Sequence, residues 1–406
     1  MKRVVLLGAC IAAAACTDPV SAPTTIQNPS ISPASARLTT AKAFARYVAM
    51  GTSNSMGVQS AGVFASGQTA AWPARLAARA GAQFSLPLMD SPGCPPPLIS
   101  PLAANLAVIA AFAAFGAGDD LVTSVMETCA PLKSGTTLPT NSVAISGAKA
   151  RTALYSTPES EQAINARRGE LYSRVLPPGK TQVTAMLMQN PTFVSVELAA
   201  NEVLPASTGR ISAMTPYAGW QQDFDMIVDS VKSTGAPAVL VGLPDNAANF
   251  PSVRRAREFF NEWPYLLTLG ISVSINCYYS SNYIFIPGYI LTLLSKTPVT
   301  ATCADVPGAV DYIITSSDLN AINARMAQIN SHIASKATEN GYAFFKLAAL
   351  YDLPKGSLDL YNVLFSSNPF GSNFSLDGVH PSARGQDILA NAAVQAINAR
   401  YRLGIQ

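Results

Sequence analysis

The amino-acid sequence predicts an α/β domain with a mostly parallel central sheet that is covered by helices on both faces. Short apolar runs alternate with segments of helical spacing, and a new apolar run follows most of the helices. The runs are almost wholly apolar, which is typical of strands buried on both faces. Hydrophobic residues make up 49% of the 406-residue chain and charged residues 13%, so a large core is available and extensive disorder is excluded.

The order of the elements follows from these patterns. Apolar runs predict strands at residues 45–51, 141–150 (ending in a glycine turn), 191–201, 236–245 and 342–352. Helical spacing predicts helices at residues 70–84, 181–190, 220–235, 316–341 and 380–401. The helix at 316–341 opens with a serine cap and ends at a glycine. Because ligands bind at the carboxyl ends of parallel strands, we expect functional residues where these runs stop.

Two segments stand outside the alternation. Residues 97–118 are strongly apolar, but Pro101 and Asn105 interrupt them, which favours a buried or cleft-lining helix over a membrane-spanning one. Residues 246–310 form a long insertion that contains a second apolar stretch at 282–294. Both segments either extend the core or form an apolar wall or lid beside a cleft.

The first residues have the pattern of an export signal. Lys2 and Arg3 precede an apolar run, and small residues precede a cysteine, as in a bacterial lipoprotein signal. We predict that residues 1–16 are the signal up to a lipidated Cys16. Cys10 follows a more typical "LGA", but it leaves only residues 4–9 as the apolar stretch. A plain cleaved signal peptide is the alternative.

Residues 17–39 are rich in Pro, Ser and Thr and predict a flexible tether, followed by one domain at residues 40–406. Thr17, rather than an aspartate, follows Cys16, which resembles an outer-membrane sorting signal. The expected location is therefore the cell envelope, with a lipid anchor as the membrane contact.

Four cysteines remain after the signal, and an even number in an exported chain predicts two disulfides. Of the three possible pairings, Cys94–Cys129 and Cys277–Cys303 join sequence neighbours and are the simplest. A zinc site needs close C-x-x-C pairs, which the chain lacks, so no metal and no cofactor is expected.

The charge pattern does not favour nucleic acid as a partner, and none is expected. The formal net charge is +3, Lys2 and Arg3 supply two of these charges, and no block of five basic residues occurs. The expected partner is a small-molecule or lipid ester, for the reasons that follow, and the sequence gives no prediction of oligomeric state.

Residues 47–62, "YVAMGTSNSMGVQSAG", raise the question of nucleophilic chemistry. An apolar run stops at a glycine, and two serines follow before the next glycine. A serine nucleophile needs a base, which is usually histidine, and the chain has two. His332 lies within the predicted helix 316–341, where a packing role is expected. His380 follows Asp377 by three residues, the pairing that orients a catalytic imidazole.

Four short motifs in order resemble those of the SGNH (GDSL-type) serine hydrolases, in particular their lipid-anchored bacterial branch. "GTSNSMG" (51–57) resembles the first block, and a glycine after a strand in "NSVAISGAKA" (141–150) the second. "AANE" (199–202) resembles the third block, and "DGVHP" (377–381) the last. The resemblance runs from about residue 40 to the end, and each motif is weak alone. The matched positions are Ser53 (in preference to Ser55), Gly147, Asn201, Asp377 and His380.

The resemblance implies a flavodoxin-like three-layer α/β/α fold and cleavage of carboxylic esters. Ser53 is then the nucleophile, His380 the base and Asp377 the residue that orients it. The Ser53 and Gly147 N–H groups and the Asn201 amide are implied as the oxyanion hole.

Three positions depart from the family's motifs. Thr52 replaces an aspartate, Ala199 a glycine and Glu202 an aspartate. None of these changes removes a member of the triad or the oxyanion asparagine. The added methyl of Ala199 restricts the backbone, and Thr52 removes a carboxylate, so the cleft and the activity are expected to be altered.

Three functions are compatible with these motifs. The apolar segments favour an esterase or lipase. A carbohydrate deacetylase is the main alternative, and it predicts an open cleft with exposed aromatics from among Trp72, Trp220 and Trp263. A non-catalytic binding lipoprotein is the third, although it does not require the complete set of catalytic residues.

Overall fold

The computed structural model describes residues 38–105 and 129–406. The contacts within Leu38–Gln406 form one compact unit. The predicted signal, nearly all of the predicted tether and residues 106–128 of the apolar segment lie outside the described residues. The assignments of Cys10 and Cys16, and the domain limits, therefore stay predictions.

The strands, in chain order, are β1 (Tyr47–Gly51), β2 (Phe193–Glu197), β3 (Ala238–Gly242), β4 (Val253–Arg255), β5 (Ile271–Val273), β6 (Tyr283–Phe285), β7 (Val299–Ala301), β8 (Ile313–Ile314) and β9 (Ala343–Lys346). In the part of the chain that is described, β1, β2, β3 and β9 form a parallel sheet in that spatial order. Every residue of β1, β2 and β3 is buried. Because successive side chains point to opposite faces, both faces of the sheet are covered, and the predicted fold class is confirmed.

The α-helices are α1 (Thr40–Ala43), α2 (Ser53–Met56), α3 (Ala65–Ala70), α4 (Trp72–Arg79), α5 (Ala150–Tyr155), α6 (Pro158–Ile164), α7 (Ala166–Ser173), α8 (Gln182–Leu187), α9 (Ala200–Val203), α10 (Tyr217–Ser233), α11 (Ala256–Asn261), α12 (Trp263–Thr268), α13 (Asn276–Tyr279), α14 (Ile286–Leu294), α15 (Ser316–Asn340), α16 (Ala348–Tyr351), α17 (Leu360–Phe365) and α18 (Ala383–Tyr401). Short 3₁₀ turns lie at Leu102–Asn105, Leu204–Thr208, Ile211–Ala213 and Ala247–Asn249.

The long helix α15 has a threonine rather than a serine as its N-terminal cap. Thr315 is the cap, because its Oγ1 accepts a hydrogen bond from Asp318 N and Asp318 Oδ2 accepts one from Thr315 N in return. The predicted serine cap is wrong, since Ser316 already lies inside the first turn. The predicted glycine stop is confirmed: Gly341 adopts φ +70° directly after the helix.

Residues 141–145 run beside β1 but do not form a regular strand. Val143 N donates to Ala49 O and Ile145 N to Gly51 O, and Ala49 pairs with Ser142. A tight turn that follows at once, in which Ala148 N donates to Ile145 O, limits the pairing. The predicted strand is thus a short extended segment at the edge of the sheet, and the turn that follows it lies at the carboxyl end of β1.

The insertion carries two small sheets of its own. Strands β4, β6 and β8 pair antiparallel, and β5 pairs parallel with β7. Disulfides join Cys277 to Cys303 within the insertion and Cys94 to Cys129 outside it, so the simplest predicted pairing is confirmed. None of the helices in the described ranges has both the length and the apolar character needed to cross a membrane.

The turn after α2 generates a stability prediction. Gly57 adopts φ +83°, and a Cβ there would lie 2.4 Å from Gly67 O. We expect Gly57→Ala to lower the free energy of unfolding by about 3 kcal/mol or more, because it combines a left-handed backbone with a backbone clash. Gly81 has φ +66° with no atom near its Cβ position, so Gly81→Ala should cost only about 1 kcal/mol. Urea unfolding of both variants tests this, and equal losses would contradict it.

Candidate active site

One pocket at the carboxyl end of the sheet brings together residues that are far apart in the sequence. Ser53, Asn201 and His380 all line it. Asp377 lies behind His380, whereas Gly147 is not among the lining residues. The cavity volume is about 70 Å³.

The turn that carries Ser53 follows directly from β1. The strand ends at Gly51, Thr52 is extended with φ −106°, and the single helical turn α2 starts at Ser53. Gly51 has no room for a side chain, because a Cβ would lie 2.4 Å from Ser55 Oγ. Among the residues that the structure describes, Ser53 Oγ has no hydrogen-bond partner, so its hydroxyl is available to a ligand.

A buried carboxyl group fixes the position of this turn through hydrogen bonds. Glu197, the last residue of β2, lies opposite Gly51 in the sheet register. Its carboxylate accepts hydrogen bonds from Thr52 Oγ1 at 2.8 Å and Ser55 Oγ at 2.9 Å, and from both backbone N–H groups. Burial raises the pKa of Glu197, and these four donors partly offset that effect. Ser55 therefore supports the turn, and it is not among the residues that line the pocket.

Asp377 fixes the tautomer of His380. Its Oδ2 lies 2.9 Å from His380 Nδ1, and its Oδ1 accepts from the backbone N–H groups of Val379 and His380. Burial alone would raise the pKa of Asp377, but the His380 ring and these hydrogen bonds lower it to about 2. The ionised carboxylate can only accept, so Nδ1 carries the proton and Nε2 is free to act as a base.

A second loop supports Asp377 from the other side. Ser60 and Ala61 adopt φ +51° and +58°, an unfavourable region for non-glycine residues. In this conformation Ala61 N donates to Asp377 Oδ2 at 2.6 Å, and Ser60 N donates to Ser375 Oγ at 2.8 Å. The local backbone strain is thus matched by hydrogen bonds that anchor the loop of the candidate acid–base pair.

Asn201 presents its amide toward the pocket from α9. Its Nδ2 donates one hydrogen to Ala148 O at 2.9 Å, which leaves the second N–H free. Ala148 follows Gly147, whose φ of +75° requires a glycine at that position. Ala199, by contrast, has φ −153°, which lies outside the left-handed region that favours glycine.

Glu202 forms a second contact with the loop that begins at Gly147. Its Oε1 accepts a hydrogen bond from Ala150 N at 2.8 Å, while its Oε2 is buried and has no partner in the described structure. Burial raises the pKa of Glu202 to about 7, against the opposing effects of the Ala150 bond and Lys149. Asn201 and Glu202 together hold the loop that begins at Gly147.

Tyr351 connects the Ser53 turn with the His380 loop. Its buried hydroxyl donates to Val379 O at 2.8 Å and lies 3.2 Å from Asn54 Oδ1. Gln386, from α18, donates to Asn54 O as well. Tyr351 therefore bridges the residue after Ser53 and the residue before His380, which lie more than 300 residues apart in the sequence.

His332 has the packing role expected of it. Its Nε2 lies 2.7 Å from Asp225 Oδ1, and its ring packs edge-on against Trp220. It is not among the residues that line the pocket. Within residues 38–105 and 129–406, no group of three or more His, Cys, Asp or Glu side chains is placed to hold a metal ion.

Most of the remaining pocket lining is apolar, with Asn54, Ser207, Ser252 and Tyr351 as the polar exceptions among the described lining residues. Leu243 and Leu347 follow strands of the central sheet, and Val253, Phe285 and Ile314 come from the insertion and the strand just after it. Among the described residues that line it, none is Asp, Glu, Lys or Arg. Part of the predicted insertion therefore forms a pocket wall, as one of the two interpretations of residues 246–310 proposed. For segment 97–118, the choice between additional core and a cleft wall or lid stays open, because most of that segment lies outside the described residues.

The sequence did not predict several residues that support the site. Glu197 lies within a mostly apolar run, so its role was not predicted. The neighbouring sequence does not indicate the role of Tyr351 or the left-handed conformation of Ser60 and Ala61. Of these, Glu197 has a recognisable signal in the sequence, since a glutamate at the end of a buried strand must find hydrogen-bond donors.

Comparisons with known proteins give fold-level similarities at most. No family model and no curated protein matches the chain. Among solved structures, the chain is similar to TesA (12% identity, 87% of this chain and 98% of that chain, TM-score 0.33). It is also similar to an extracellular lipase from Streptomyces rimosus, at 14% identity over 87% of this chain and 98% of that chain, with a TM-score of 0.35. A third similar structure is a mutant of Axe2, an acetyl-xylooligosaccharide esterase from Geobacillus stearmophilus. The identity is 14% over 64% of this chain and 71% of that chain, with a TM-score of 0.29. Similarity at such TM-scores carries no information on the reaction.

Glu202 generates a prediction for stability against pH. Its pKa is about 7 in the folded chain and near 4.5 when exposed, so the folded state retains a proton that the unfolded state releases. Stability therefore falls as pH rises from about 4.5 to 7, by on the order of 3 kcal/mol from this group. We expect Glu202→Gln to remove this loss. Urea unfolding at pH 5 and pH 8 measures it, and parallel pH profiles of the two proteins would contradict it.

Proposed function

We propose that this protein is a serine hydrolase of the SGNH type that cleaves carboxylic esters through an acyl-enzyme. The observation that carries the proposal is the arrangement at one pocket: Ser53 and His380 both line it, and Asp377 holds His380 Nδ1. A free serine hydroxyl, a base with a fixed tautomer and an orienting carboxylate are the parts that acyl transfer needs.

In the first half of the reaction, Ser53 Oγ attacks the ester carbonyl carbon and His380 Nε2 takes the hydroxyl proton. The carbonyl oxygen becomes an oxyanion, for which the free N–H of Asn201 and the backbone N–H groups of Ser53 and Gly147 are the proposed donors. Removal of one such donor typically costs about 3 kcal/mol of transition-state stabilisation. His380 then passes the proton to the leaving alkoxide, which departs as the alcohol.

In the second half, water attacks the acyl-enzyme and His380 takes one of its protons. The tetrahedral intermediate collapses, and the proton returns to Ser53 Oγ as the carboxylic acid leaves. Asp377 stays ionised throughout, because its pKa of about 2 lies far below the pKa of an imidazolium. The carboxylate thereby stabilises the positive ring twice in each cycle.

An apolar acyl chain is the proposed substrate portion for the pocket. The walls supplied by Leu243, Phe285 and Ile314 favour a hydrocarbon over a sugar. Carbohydrate deacetylation is the second candidate, but Trp72 and Trp220 are buried in the core, and the exposed Trp263 is not a pocket residue. A non-catalytic binding role would leave the Asp377–His380 pair without a purpose.

We also propose export and lipid attachment at Cys16, with the outer membrane as the location. The two disulfides support an oxidising compartment. The substitutions at Thr52 and Glu202 fit an active site, because each side chain supports a loop of the pocket by hydrogen bonds.

The nucleophile is tested by covalent labelling and ester hydrolysis. A fluorophosphonate should label Ser53 in the chain lacking residues 1–16, and Ser53→Ala should abolish labelling and lower ester hydrolysis by about 10³-fold or more. Across p-nitrophenyl esters from acetate to palmitate, kcat/KM should rise beyond acetate, because longer acyl chains fill the apolar pocket.

Ser55→Ala is the matched control. Its hydroxyl bonds Glu197, so this variant should still be labelled at Ser53, with some loss of stability. Labelling that persists in Ser53→Ala, or that disappears only in Ser55→Ala, would overturn the assignment. A preference for acetate would favour the deacetylase.

A further inference from the structure

One hydroxyl in the apolar pocket has no partner. Ser252 lines the pocket and is fully buried, and its Oγ makes no hydrogen bond within the described structure. Among the pocket-lining residues of the described ranges, it is the one with a buried side-chain polar atom left in this state. A buried hydroxyl without a partner is unfavourable, so it indicates a ligand atom or another specific cause.

The backbone around Ser252 is held firmly in place. Ile286 N donates to Ser252 O at 2.9 Å, and Arg254 Nε donates to Pro251 O at 2.7 Å. Lys355 Nζ donates to Phe250 O and Val253 O, at 3.2 and 2.6 Å. Four consecutive carbonyl groups are therefore occupied, and two of the donors are largely buried cations.

These contacts hold the backbone that carries the hydroxyl. The carbonyls of residues 250–253 are already bound, so this segment is held in place, while the Ser252 side chain can still rotate about χ1. Val253, the next residue, also lines the pocket, so the held segment is part of the pocket wall. A hydroxyl on a fixed backbone can turn toward a partner in the pocket without a rearrangement of the main chain.

The chemistry of that partner is limited by the other walls. The lining that the structure describes contains no Asp, Glu, Lys or Arg, so a charged group on the acyl chain would be buried there without one of these side chains as a counter-ion. An unsubstituted hydrocarbon would leave Ser252 Oγ unpaired. A neutral oxygen group meets both conditions, since a serine hydroxyl both donates and accepts.

We propose that Ser252 is a specificity residue that hydrogen-bonds a hydroxyl group on the acyl chain of the substrate, so that the preferred esters are those of hydroxy acids. The proposal rests on the proposed ester hydrolysis and adds the substrate class. A site that hydrogen-bonds a substrate hydroxyl discriminates against the analogue that lacks it, because its own polar group is then left unpaired.

The experiment compares p-nitrophenyl octanoate with octanoates that carry one hydroxyl at successive carbons. For at least one position, kcat/KM of the wild-type protein should exceed that of the plain ester by about tenfold to a hundredfold. In Ser252→Ala this ratio should fall to near one. Ser207→Ala, which alters another serine of the pocket, is the matched control and should leave the ratio as it is.

The outcomes separate the two proposals. If the plain ester is hydrolysed but no hydroxyl position is preferred, or if the preference persists in Ser252→Ala, the role of Ser252 is wrong and ester hydrolysis stands. If no ester is hydrolysed, the proposed function fails. Binding of methyl octanoate and its hydroxy forms to Ser53→Ala, by calorimetry, then decides the role of Ser252. Equal affinities with and without the Ser252→Ala change overturn it.

Discussion

The Glu197 carboxylate ties the turn that carries Ser53 to the neighbouring strand β2, and the geometry of the pocket depends on that tie. Gly51 and Glu197 end adjacent parallel strands in register, so the sheet itself brings the carboxylate to the turn. The four donors come from only two residues, Thr52 and Ser55. A threonine where the similar motif has an aspartate is then understandable, since the carboxyl group that anchors the turn comes from the next strand.

Buried polar contacts of this kind define a geometry more than they stabilise the fold. Burial raises the pKa of both Glu197 and Glu202, so both carboxylates reduce stability at neutral pH relative to exposed ones. In return, the first holds the Ser53 turn and the second holds the loop that follows Gly147. Both glutamates lie within six residues of each other, together with Asn201, so one short segment arranges two sides of the pocket.

The sequence contained enough information for the sheet and for the candidate triad. Strands buried on both faces have an unmistakable apolar pattern, and Asp377 and His380 interact locally, across a spacing of three. The contacts that the sequence did not reveal are the long-range ones, such as the Tyr351 hydroxyl between Asn54 and Val379. The left-handed conformation of Ser60 and Ala61 was equally unpredicted, because it is stabilised by a loop more than 300 residues away and neither residue is a glycine.

The order of the parts along the chain has a consequence for biosynthesis. Ser53 is made early, whereas Asp377 and His380 come late, and Asp377 depends on Ala61 for one of its hydrogen bonds. Gln386 of the last helix also donates to the Ser53 turn. A nascent chain therefore exposes a serine without a base for almost the whole of its synthesis. The proposed hydrolase therefore stays inert until its final segment folds onto the turn that carries Ser53.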